Sequence, residues 1–153
     1  MRRLRKYLAL SPAGRSIVLR SLLLLPVVAA LLKARGLGRT QAWLERLGPR
    51  SAGDAATLES MEISSLVCAA ASLLQARCLP RSLELRHVLR GRSPGVEVRL
   101  GVTRFADGSM TAHAWVELDG LPINDSPDVF ERYAALPSLA GRFRTSHPRT
   151  VSL

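Results

Sequence analysis

Apolar residues in the first third of the chain crowd together rather than alternate, and the densest run extends from Ser21 to Leu32. Ser11 followed by Pro12 supplies an N-cap and a first-turn proline, so a helix is expected from about Pro12 to Arg35. Pro26 is expected to kink or break this helix, and Gly36 and Gly38 to end it. A short amphipathic piece over residues 5–10 precedes it, and Thr40 is placed to cap a further short helix through Trp43 to Leu47. Gly48-Pro49-Arg50-Ser51-Ala52-Gly53-Asp54 reads as a linker. Beyond it, residues 55–76 predict a helix with Leu58, Met61, Leu66, Ala69, Leu73 and Leu74 near one face. The stretch Arg77 to Gly91 predicts another: Pro80 suits its first turn, Gly91 suits its stop, and Cys78 falls at its start.

From Val96 the period changes to two. Val96, Val98, Leu100 and Val102 alternate with Glu97, Arg99, Gly101 and Thr103, which predicts a strand. Asp107-Gly108 turns the chain into a second strand, Met110 to Leu118, and Asp119-Gly120 turns it into a third, Leu121 to Asp125. After Phe130 the spacing of Pro137, Gly141 and Pro148 predicts fraying. Helices first and an antiparallel meander afterwards define an α+β fold. The expected organisation is a basic, leucine-rich helical segment over residues 1–53, a folded domain over 54–135 and a flexible tail over 136–153.

Charge sharpens this division. The net charge is +10, yet residues 1–50 hold 11 basic side chains against the single acid Glu45, and residues 51–153 hold 11 of each sign. A uniformly basic nucleic-acid coat is excluded by that distribution, and no aromatics interleave the basic residues as a nucleic-acid surface would need. With 47% hydrophobic residues the chain can bury a core and is not disordered. Arginine outnumbers lysine heavily, as a GC-rich genome would produce. The two cysteines, Cys68 and Cys78, form neither a CxxC pair nor a disulfide framework, so a reducing, cytoplasmic setting is expected, without a structural zinc site. The basic start followed by an apolar run looks like a signal peptide, but Arg15, Arg20 and Pro26 interrupt it and Lys33-Ala34-Arg35 makes a poor cleavage site. The run is also shorter than the roughly 20 residues that span a bilayer. It is read instead as a docking element for the domain, a partner or the inner membrane surface.

Three residues carry candidate chemistry. Cys78 at a helix start would have its thiolate favoured by unpaired N–H groups and by Arg77 and Arg81. His113 lies inside an apolar strand between Ala112 and Ala114, and a buried histidine needs a partner. Asp125 can supply it: a hairpin with Leu118-Asp119-Gly120 as a three-residue loop would set Glu117 opposite Leu121 and His113 opposite Asp125. A two-residue Asp119-Gly120 turn would send the pair to opposite faces. Cys, His and Asp in that order are the nucleophile, base and orienting carboxylate of acyl transfer. The Cys78 backbone N–H is the expected oxyanion donor, with Gln75 as a second candidate. Cys68 is read as core packing, His87 as a solvated side chain on a cationic helix and His147 as part of the loose tail.

Cys78-Leu79-Pro80-Arg81-Ser82-Leu83, Ala112-His113-Ala114-Trp115-Val116-Glu117-Leu118-Asp119-Gly120 and Asn124-Asp125 together resemble the lasso peptide biosynthesis B proteins over about residues 58–133. The resemblance implies a transglutaminase-like, papain-like core, in which a helix bearing the cysteine packs on a small antiparallel sheet. It implies a cysteine peptidase that removes the leader from a ribosomally made lasso precursor, with Cys78, His113 and Asp125 as its triad and no cofactor or metal. Residues 1–57 lack the alternating pattern of a fused winged-helix leader-binding domain, so the chain resembles the split form. The implied partners are the precursor, a separate small leader-recognition protein and an ATP-dependent macrolactam cyclase. Two other readings stay open: transfer of the acyl group to an amine, and a non-catalytic cationic adaptor.

Overall fold

The structure, a computed structural model, describes residues 9–48 and 58–137. Three helices pack on one another, and one of them lies against a four-stranded antiparallel sheet. Helix α1 runs Pro12–Arg46, α2 Ser60–Leu73 and α3 Cys78–Leu89; strands β1 (Val96–Arg104), β2 (Met110–Leu118) and β3 (Leu121–Pro122) follow, then a one-turn helix α4 (Val129–Arg132) and β4 (Ala134–Ala135). The sheet order is β3-β2-β1-β4. The arrangement is α+β.

Helix α1 starts as its sequence dictates, with the Ser11 hydroxyl accepting from the Gly14 N–H at 3.1 Å and Pro12 in the first turn. It does not break at Pro26. A mid-helix proline costs about 3 kcal/mol, but Leu25 and Val28 on either side are almost completely buried, and each such burial contributes about 1.5–3 kcal/mol. The break comes at Gly36, whose φ of 74° leaves the helical region. Thr40 does not cap the second half; its hydroxyl donates to the Gly36 carbonyl at 2.8 Å from inside the helix. Helix α1 is therefore long and apolar enough, by length and composition, to cross a membrane, although a third of its most apolar window is buried within the protein. The expected piece over residues 5–10 and the linker after Gly48 fall mostly outside the described residues.

Helix α2 starts later than expected and buries a different face: Ile63, Leu66, Val67, Ala70 and Ala71 point inward, while Met61, Leu73 and Leu74 are exposed. The buried residues recur three and four apart, so α1 and α3 pack against a stripe centred on Val67 and Ala70. The helix ends in a Schellman closure. Gln75 adopts the left-handed conformation at φ 51°, its N–H reaches Ser72 O, and Ala76 N donates to Ala71 O at 2.9 Å. This short reversal delivers Cys78 directly to the first position of α3.

Strands β1 and β2 pair in register, with Val98 opposite Val116 and Gly101 opposite His113. Gly101 is required there, because a Cβ would lie 2.8 Å from both the Trp115 ring and Tyr133. The chain after Phe130 does not fray at once. It forms α4, then β4 pairs with β1, and the Leu136 N–H donates to Leu100 O at 2.7 Å; the expected tail from residue 138 onward lies outside the described residues. The apolar core draws on α1, α2, α3 and the inner sheet face, with Leu25, Val28, Ile63, Leu85 and Val116 among its most buried members.

Candidate active site

Cys78 is the first residue of α3, preceded by Arg77 in extended conformation. The first N–H groups of a helix have no intrahelical partner, so they and the positive dipole end lie at the Cys78 end of α3. His113 lies mid-way along β2, on the strand face opposite to Ala114 and Val116, which point into the helices. Its Nε2 meets Asp125 Oδ2 at 2.5 Å.

That contact arises by a route different from the expected register. The β2–β3 connection is the two-residue turn, with Asp119 and Gly120 both at positive φ, so Leu118 pairs with Leu121 and Glu117 with Pro122. Asp-Gly is among the few dipeptides that accept positive φ at both central positions. A continued ladder would then have turned Asp125 away from His113. The ladder stops instead: β3 ends at Pro122, and the Ile123 N–H still reaches Val116 O. The Ile123 carbonyl, however, turns to accept from the Ser64 hydroxyl at 2.7 Å, and the Val116 N–H is taken by the Asn124 side chain at 2.7 Å. Once a side chain replaces the backbone, strand alternation no longer dictates the facing of Asp125, and it returns to His113.

The carboxylate is fully engaged. Its other oxygen, Oδ1, accepts from the Ser126 N–H at 2.9 Å and from Arg132 Nη2 at 2.8 Å. Burial pushes Asp125 upward, but hydrogen bonds from His113, Ser126 and Arg132 outweigh it and hold the carboxyl below its ordinary range. Arg132 also pairs with Asp128 and lies over the Tyr133 ring, 5.5 Å from its centroid. Tyr133 stacks on His113 at 4.9 Å, and the buried Trp115 flanks the imidazole at 6.2 Å. Trp115 is itself fixed by a 2.8 Å bond to Glu117, which pairs with Arg99.

Cys78 and His113 line one pocket of about 880 Å³. Its walls come from Leu25, Pro26, Ala29 and Leu32 of α1 on one side and from Leu79 and Leu100 on the other. His113 and Asp125 are thus joined directly, while Cys78 shares the pocket lining with His113. Gln75 also lines the pocket; its backbone N–H is engaged in closing α2, leaving the side-chain amide as a donor.

Two other readings change or narrow, and a third is untested. His87 is buried rather than solvated, because α3 is enclosed by α1, α2 and the sheet. Cys68 is half-buried, and burial pushes its thiol up and away from the reactive thiolate. His147 lies outside the described residues. Sequence reasoning missed Arg132 and Tyr133, although Asp128 and Arg132 stand at the i, i+4 spacing of a helical ion pair. Among the described residues no group of three or more His, Cys, Asp or Glu side chains is placed to hold a metal ion.

A family model for the transglutaminase-like superfamily matches residues 22–138. With that match over more than half its length, the chain belongs to the transglutaminase-like superfamily, whose members are commonly cysteine-dependent enzymes. No match was found among curated proteins or among solved structures.

Proposed function

We propose that this chain is a cysteine peptidase that removes the leader peptide from a ribosomally made lasso precursor, ahead of macrolactam formation by a partner cyclase. The observation that carries the chemistry is the Cys78–His113 pocket backed by the Asp125–His113 bond. The substrate assignment rests on the sequence blocks around Cys78, His113 and Asp125, which resemble the lasso B proteins. Nε2 of His113 is engaged with Asp125, so Nδ1 is the nitrogen that serves Cys78. The thiolate attacks the scissile carbonyl, and the oxyanion draws on the Cys78 N–H. The imidazolium returns its proton to the departing amine, leaving a thioester that water then cleaves to release the leader acid and restore the thiol. Asp125 holds the ring tautomer and stabilises its charged form.

The precursor, a separate leader-recognition protein and the ATP-dependent cyclase are the proposed partners, in a cytoplasmic setting. The test is mass spectrometry of a leader-containing precursor incubated with the full chain and the leader-binding protein. Two fragments whose masses sum to precursor plus water are expected, with none formed by Cys78→Ala. With a primary amine such as methylamine added, a product that has lost ammonia and gained that amine assigns transfer instead, and cleavage by a folded Cys78→Ala overturns the mechanism.

A further inference from the structure

The outer face of α1 carries an apolar stripe beside, and separate from, the pocket wall. Leu19, Leu23 and Val27 recur one turn apart and are 54%, 67% and 43% exposed. Ala30 and Ala34 continue the line and are exposed as well. Single exposed leucines are ordinary on a soluble surface, but a contiguous row along one helix marks an interaction face. The charge around it has one sign. Lys33, at the rim of the pocket, and Arg35 are exposed on the same helix, Arg39 is exposed past the break at Gly36, and no acidic residue precedes Glu45 in the chain.

We propose that α1 lies flat on an anionic phospholipid bilayer, with Leu19, Leu23 and Val27 in the acyl boundary and the cations among the headgroups. A protein partner would have to pair this face with a matching acidic, apolar groove; an anionic lipid surface asks only for a basic, apolar helix face, which is what α1 offers. The helix lies on the bilayer rather than crossing it. Leu25 and Val28 are buried in the protein core, and Pro26 and Ala29 form pocket wall, so lipid cannot surround this segment while the domain stays folded.

The test is flotation of the full chain with vesicles of phosphatidylcholine alone or mixed with phosphatidylglycerol. Binding is expected to the anionic vesicles only, and raising the salt is expected to weaken it. Replacing Leu19, Leu23 and Val27 with Glu should weaken binding by about tenfold or more while leaving Cys78 alkylation and thermal unfolding unchanged. Leu23→Glu alone, at the most exposed position, gives the same readout if the triple variant does not fold. Failure of the wild type to float, equal flotation of the variants, or retention in membranes through alkaline carbonate would each overturn the proposal. So would loss of flotation on removing a co-purifying protein.

Discussion

The hydroxyl of Ser82, one helical turn beyond Cys78, donates to the backbone carbonyl of Ala114, the residue after His113, at 3.0 Å. The same oxygen accepts from the Asn124 side chain at 3.3 Å, one residue before Asp125. A single fully buried hydroxyl thus ties together the three segments that carry the candidate triad. Each link is one residue or one turn from a member, so a shift in any segment moves its member relative to the others.

Ser82→Ala removes both links and leaves a buried carbonyl and amide short of a partner. The expected loss is about 1–3 kcal/mol of stability. Urea unfolding of the two proteins measures it; a difference within about 0.5 kcal/mol would show that the network rearranges without cost.

Asp125→Asn keeps the shape of the site but offers the imidazole an amide in place of a carboxylate. Activity on the precursor should fall by roughly 10²–10⁴. The depressed carboxyl of Asp125 also makes a pH statement. Its folded pKa lies below the unfolded one, so its stabilisation is present above the ordinary value of 3.8 and is lost as pH falls through and below it. Urea unfolding at neutral pH should therefore separate wild type from Asp125→Asn, and the gap should close in acid. A gap that stays constant with pH would remove the charge from the explanation.

The elements were more legible than their connections. Pro80 and the alternation from Val96 located α3, β1 and β2 nearly to the residue, because each depends on a local period or a local backbone preference. Asp125 was found by pairing a histidine that needed a partner with a carboxylate within reach. The early end of the β2–β3 ladder, which turns Asp125 back to His113, was not legible, since it depends on Ser64 capturing the Ile123 carbonyl from 59 positions away. Nor was the burial of His87, which follows from tertiary enclosure of a helix whose own sequence is polar. The Arg132–Tyr133 support was hidden for the same reason: a four-residue helix and a two-residue strand have too little period to announce themselves.

Gly101→Ala tests the crowding behind His113. The added methyl meets the Trp115 ring and Tyr133 Cβ, neither of which is a flexible end. Destabilisation of about 1–3 kcal/mol is expected, with a change in Trp115 fluorescence. An unchanged melting temperature would mean that Tyr133 can leave the ring without penalty.

Gln75→Gly separates stability from chemistry. Relief of the left-handed conformation should stabilise the chain by up to about 1 kcal/mol. If the side-chain amide serves the oxyanion, kcat should fall by about 10–10²-fold at the same time. A stabilised variant with full kcat would assign Gln75 to helix termination alone.

Strand β4 is only two residues long and follows immediately on Arg132 and Tyr133. Two ladder residues at a sheet margin open far more readily than the nine-residue β1–β2 ladder beside them. Tyr133, which covers His113, joins that margin to Arg132, which holds Asp125. Hydrogen exchange at the sheet margin is therefore expected to report on the packing around the imidazole.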